Sequence, residues 1–195
     1  MSAPEVAGGY VTLDVEPVKR LKLLLPLLTL SFLPVTAANI PRPAGEYKFK
    51  TPSGEQTLSQ YKGKVVVLEF LLTTCPACKR CSSTMERLQK EFGPKGVQML
   101  GVALNEGADK LIGQYASELG ITYPIGHGDY RAALQFLQHP EIIRFMVPQL
   151  VFIDRQGVIR AQYPGTDAFF NNEEENIRKT LQSLLSPSPA KTKKK

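Results

Sequence analysis

The chain has 195 residues, 43% of them apolar and 22% charged, a balance that fits one globular domain and argues against a fibrous or disordered chain. Its net charge of +6 does not mark a nucleic-acid binder, because Lys191, Lys193, Lys194 and Lys195 supply four of those charges and the remainder is close to neutral. All three cysteines, Cys75, Cys78 and Cys81, fall within seven residues, so they cannot staple distant parts of a fold and point to local chemistry instead.

Residues 1–38 read as an N-terminal extension and address. From Lys19 the chain runs Lys-Arg-Leu-Lys, then an apolar stretch over residues 23–35 that contains Pro26 and Pro34, then Thr36-Ala37-Ala38. A basic start, about a dozen apolar residues and a small-residue end make a secretory signal, and the run is shorter than the ~20 residues that span a bilayer. Cleavage after Ala37 or Ala38 is expected, with an uncleaved membrane anchor as the alternative. Either places the domain outside the cytoplasm, in the periplasm or facing it from the membrane. The acidic Glu5, Asp14 and Glu16 are unusual ahead of a signal, and a start at Val18 would explain them. Residues 39–45, with Pro41 and Pro43, read as an extended linker, residues 46–186 as the folded domain, and residues 187–195 as a solvated basic tail.

Within the domain, residues 47–50 and 56–58 flank Thr51-Pro52-Ser53-Gly54 and predict a short hairpin. Residues 64–72 are nearly all β-branched or apolar, the pattern of a strand buried on both faces. A helix is predicted to open at Thr74 and Cys75, with Pro76 in the first turn where its missing N–H costs nothing. Met85, Leu88 and Phe92 give it an apolar stripe, and Gly93-Pro94 ends it. Residues 97–104 predict a second buried strand, 109–119 a helix, 122–125 a short strand and 129–137 another helix. Residues 150–154 and 158–163 form a strand pair turned by Arg155-Gln156-Gly157, and 172–185 the closing helix. This order implies an α/β sandwich.

Cys75-Pro76-Ala77-Cys78 stands where a strand meets a helix. Free N–H groups and the positive end of the helix dipole stabilise a thiolate at Cys75. The three-residue spacing puts Cys78 on the same turn, close enough to resolve a mixed disulfide formed at Cys75. A zinc site would need further ligands, for which the chain offers Cys81, His127 and His139, and redox chemistry is the favoured reading. Cys81, one turn beyond Cys78, is read as a small buried residue, with a third redox thiol as the alternative. His127 and His139 are read as surface residues.

Gly63-Lys64, the strand ending in Leu68-Glu69-Phe70, the Thr74-Cys75-Pro76-Ala77-Cys78 motif and Met146-Val147-Pro148-Gln149 ahead of a strand together resemble the thioredoxin superfamily, and within it the redoxin or TlpA-like branch. Residues 119–140 resemble that branch's insertion. The resemblance implies a three-layer sandwich with a central mixed sheet and helices on both faces, and a thiol-disulfide oxidoreductase that uses no cofactor. Its partners would be protein thiols or disulfides and an upstream electron donor or acceptor, with no nucleic acid and with membrane association only through an uncleaved signal. It also implies a cis Val147–Pro148 bond facing the cysteines, so that Thr74, Pro76, Val147 and Pro148 bind substrate. Thr74 stands where the family often has tryptophan, and the chain has no tryptophan at all.

Glu69 is the one charged residue of the run from Val65 to Leu72. Burying its carboxylate is costly without a partner, and the resemblance makes it the group that moves the proton of Cys78; an ion pair with Lys62 or Lys64 is the alternative. Two other functions compete with the oxidoreductase. A thiol peroxidase would show Pro-x-x-x-Thr-x-x-Cys, but Leu68 and Leu72 fill those places ahead of Cys75. A metal carrier would use the cysteines with a histidine.

Overall fold

The computed structural model describes residues 39–186, so the proposed signal and the basic tail lie outside the described residues. Eight strands form one mixed sheet in the order β1-β8-β7-β4-β5-β6-β2-β3. They are β1 (Arg42–Pro43), β2 (Lys48–Thr51), β3 (Gly54–Thr57), β4 (Val65–Leu71), β5 (Val97–Ala103), β6 (Ile125–His127), β7 (Gln149–Ile153) and β8 (Val158–Tyr163). The helices are α1 (Pro76–Phe92), α2 (Ala108–Leu119), α3 (Tyr130–Leu137) and α4 (Glu173–Leu185). β4 runs parallel to β5 and antiparallel to β7, which places it inside the sheet and explains its unbroken apolar run.

Strand alternation sorts the core into two layers. Val65, Val67 and Leu71 of β4 pack with α1, α2 and α4, through Met85, Leu88, Ile112, Ile177 and Leu181 among others. Val66, Leu68 and Phe70 point the other way, onto α3 and the β2–β3 hairpin. The architecture is therefore the expected three-layer α/β sandwich. The predicted hairpin is present, and the segment read as an insertion contributes β6 and α3. Gly107 and Gly120, both left-handed at φ 69° and 61°, bound α2 with a conformation glycine adopts at no steric cost.

Two segments differ from expectation. The strand expected over residues 122–125 lies at Ile125–His127. Thr122 is taken up by α1, where the Glu86 carboxylate accepts its N–H at 2.8 Å and its hydroxyl at 2.9 Å, and Pro124 has no N–H to give a ladder. The second difference is in the linker, where Arg42 and Pro43 pair with Ile159 and Val158 as an edge strand. The buried Arg42 side chain donates to the Phe136 carbonyl at 2.7 Å and to Gln162 Oε1 at 3.1 Å, tying the edge strand to the end of α3. Arg42→Ala should therefore lower stability by about 1–3 kcal/mol by leaving a buried carbonyl without its donor. A urea midpoint equal to that of the wild type would contradict this.

Candidate active site

The site lies at the carboxyl end of β4. After Leu71 the chain turns, with the Cys75 N–H donating to the Leu72 carbonyl at 3.0 Å. Asn105 holds the turn by accepting the Thr73 N–H at 2.9 Å and its hydroxyl at 3.2 Å. Cys75 thereby becomes the N-cap of α1, with Pro76 in the first position. The Cys78 N–H donates to Cys75 Sγ at 3.3 Å, so the outer sulfur meets both a donor and the positive end of the helix. Cys75 is partly exposed, Cys78 and Cys81 are fully buried, and none of the three is bridged. Thr74 and Pro76 are exposed beside Cys75.

The Val147–Pro148 bond is cis. Val147 packs against the same core as Cys75 and Cys78, and Pro148 lines a groove with Ala77, from between the two cysteines, and with Gly165 and Phe170. Gly165 is required there: a Cβ on it would fall 2.5 Å from the Val147 carbonyl oxygen. A second cavity, lined by Leu58, Tyr61, Val66 and Ile153, adjoins the opposite end of β4 and contains no cysteine.

Alternation along β4 turns Glu69 toward α1, on the face of Val67 and Leu71. It is fully buried. Its Oε2 accepts the Ser82 hydroxyl at 2.7 Å, and Ser82 Oγ pairs with the Tyr115 hydroxyl at 2.9 Å. Among the described residues no lysine approaches it, so the ion pair with Lys62 or Lys64 does not form. Burial pushes the Glu69 carboxyl up to about 8, against the opposing hydrogen bond from Ser82. Burial likewise pushes the Cys78 thiol up, and its hydrogen bond with Cys75 and the negative charge of Glu69 add to this. The result is a carboxyl and a thiol that both hold their protons at neutral pH, the charge of one acting on the other.

Cys81 packs in the core beside Met85. His127 is half-buried in β6, and His139, also half-buried, lies edge-on to Phe145 at 5.3 Å. Sequence reasoning missed Ser82 and Tyr115. The signal for Ser82 was present: it follows Cys78 by four residues and so lies on the buried face of α1.

Residues 40–162 match the AhpC/TSA family. The chain is 30% identical over 131 residues to the thioredoxin-like protein YneN of Bacillus subtilis, covering 63% of this chain and 70% of that protein. It is also 30% identical over 131 residues to the thiol-disulfide oxidoreductase ResA of Geobacillus kaustophilus, covering 67% and 68%. In fold it resembles a putative thiol:disulfide interchange protein DsbE from Chlorobium tepidum, with a TM-score of 0.65 and 18% identity over 75% of this chain and 97% of that one.

The buried carboxyl has a consequence for stability. Between the ordinary carboxyl range and about pH 8 the unfolded chain has lost a proton that folded Glu69 keeps, so stability falls as pH rises through that window. Glu69→Gln removes this slope. The variant should match or exceed the wild type in stability, with the gap widening from pH 5 to 8 by up to about 1.4 kcal/mol per unit. Parallel stability curves across that range, measured by urea denaturation, would contradict the placement of the carboxyl.

Proposed function

The chain belongs to the AhpC/TSA family and is a thiol-disulfide oxidoreductase, and on that premise we propose that it exchanges disulfides with exported proteins through the Cys75–Cys78 dithiol, with Glu69 as the base. The observation that carries this reading is the partly exposed Cys75 sulfur capping α1, 3.3 Å from the N–H of the buried Cys78, with the buried Glu69 carboxyl near enough to help raise the Cys78 thiol. In the reducing direction the Cys75 thiolate attacks a client disulfide, forms a mixed disulfide and expels the client's other sulfur as a thiolate. Cys78 passes its proton to Glu69 and attacks Cys75 Sγ. The client leaves as a thiol, and the protein is left oxidised at Cys75–Cys78. Run backwards, the same steps oxidise a client. An upstream dithiol or disulfide partner resets the cycle in either direction.

The groove formed by Ala77, Pro148 and Gly165 supports a role for Pro148 and Val147, with Thr74 and Pro76 on the rim, in holding the client segment next to Cys75. Export rests on the basic and apolar pattern of residues 19–38, and membrane association would follow if that segment stayed attached.

The test is a pair of substitutions assayed by reduction of insulin. Cys75→Ser should abolish exchange, whereas Cys78→Ser should accumulate a mixed disulfide with substrate that non-reducing electrophoresis resolves. Insulin-reducing activity retained by both single variants would overturn the dithiol mechanism.

A further inference from the structure

The groove that begins at Ala77 and Pro148 continues along α1 and has a volume of about 630 Å³. Its apolar lining comes from Leu119, Pro148 and Phe170, and its charged lining from α1 and the start of α4. Ala77, Arg80, Thr84 and Arg87 follow one another at helical spacing, so they form one face of α1, and all four line the groove.

Three cations line this groove, Lys79, Arg80 and Arg87. Two of them are answered within the chain: Lys79 Nζ meets Glu118 Oε2 at 3.0 Å, and Arg87 meets Glu174 Oε2 at 2.6 Å. Arg80 is exposed, and among the described residues it has neither an ion pair nor a hydrogen bond. Glu173, the other carboxylate of the lining besides Glu174, is half-buried and also stands in no ion pair. The lining thus sets three cations against two carboxylates, and the unanswered guanidinium stands one helical turn beyond Ala77.

That position matches a client's geometry. Arg80 follows Cys75 by five residues, about 7.5 Å along a helix axis at 1.5 Å per residue. An extended client chain advances about 3.3 Å per residue and turns alternate side chains to the same side. A client disulfide-bonded to Cys75 and extended along the groove therefore brings the second residue from its cysteine level with Arg80. A guanidinium offers a planar fork of donors that fits a carboxylate.

Resting on the reading of Cys75 and Cys78 as the exchanging dithiol, we propose that Arg80 selects clients that carry a carboxylate side chain two residues from the cysteine being exchanged. Arg80 holds the client and takes no part in the transfer of electrons. A client lysine at the same place meets Arg80 as a like charge and is disfavoured.

Three five-residue peptides test this, each with a central cysteine capped as the neutral 2-pyridyl disulfide. They carry glutamate, glutamine or lysine two residues from the cysteine on both sides. The Cys75 thiolate attacks the peptide sulfur and expels pyridinethione, whose absorbance is followed. Cys78 then attacks Cys75 Sγ, which frees the peptide as a thiol and leaves the protein oxidised at Cys75–Cys78. The second-order rate of pyridinethione release by the reduced full-length protein is divided by that of the same peptide with mercaptoethanol, a neutral thiol, to remove differences in intrinsic reactivity. At low salt the wild type should favour the glutamate peptide over the lysine peptide about threefold, the scale of an exposed ion pair. Salt near 1 M, where the screening length is about 3 Å, should erase the preference. Arg80→Gln should bring the ratio close to one, and Arg80→Glu should invert it. Lys62→Gln, which removes a positive charge at the opposite end of β4, should keep the wild-type ratio. An Arg80→Gln ratio equal to that of the wild type would overturn the proposal, as would a wild type that treats the three peptides alike. Cys75→Ser separates the two readings. If it releases pyridinethione at the wild-type rate, the dithiol reading fails; if it stops release while the wild type shows no preference, only selection by Arg80 fails.

Discussion

A fully buried carboxyl group whose charge acts on the inner of two cysteines constrains much of what surrounds it. Ionised Glu69 in an apolar layer is costly unless it is hydrogen-bonded or neutralised, and the structure provides for both. Ser82 donates to it, and burial keeps its proton on to about pH 8. Each neighbour follows from this need. A serine interrupts the apolar face of α1 four residues after Cys78, and Tyr115 of α2 closes over that serine.

The reactive end obeys a different constraint, that of the helix terminus. α1 must begin directly after β4, because only there do its free N–H groups meet the outer sulfur. The turn held by Asn105 and Pro76 in the first helical position set that start. Gly165 lets a neighbouring loop approach Val147 and Pro148, so the surface next to Cys75 is shaped by backbone rather than by a large side chain. Thr74 is exposed beside Cys75, and the groove that holds Pro148 mixes Ala77 and Phe170 with the charged Arg80 and Arg87.

Much of this was legible before any coordinates. The unbroken run of β4 announced a central strand and Cys75-Pro76-Ala77-Cys78 announced the helix start, whereas the sequence left open whether Glu69 turned toward Cys78 or toward Lys62 and Lys64. Other features depend on contacts between segments far apart in the chain. Arg42 reads as linker because its partners, Phe136 and Gln162, are 94 and 120 residues away. The strand lies at Ile125–His127 rather than at residues 122–125 because Thr122, a β-forming residue, serves Glu86 of α1.

The central claim is that Glu69 keeps its proton into the neutral range in the reduced protein. Carbon-13 NMR of the side-chain carboxyl, with Glu69→Gln to assign the resonance, measures this directly. The account predicts a titration midpoint near 8; a midpoint in the ordinary carboxyl range near 4.3 would contradict it.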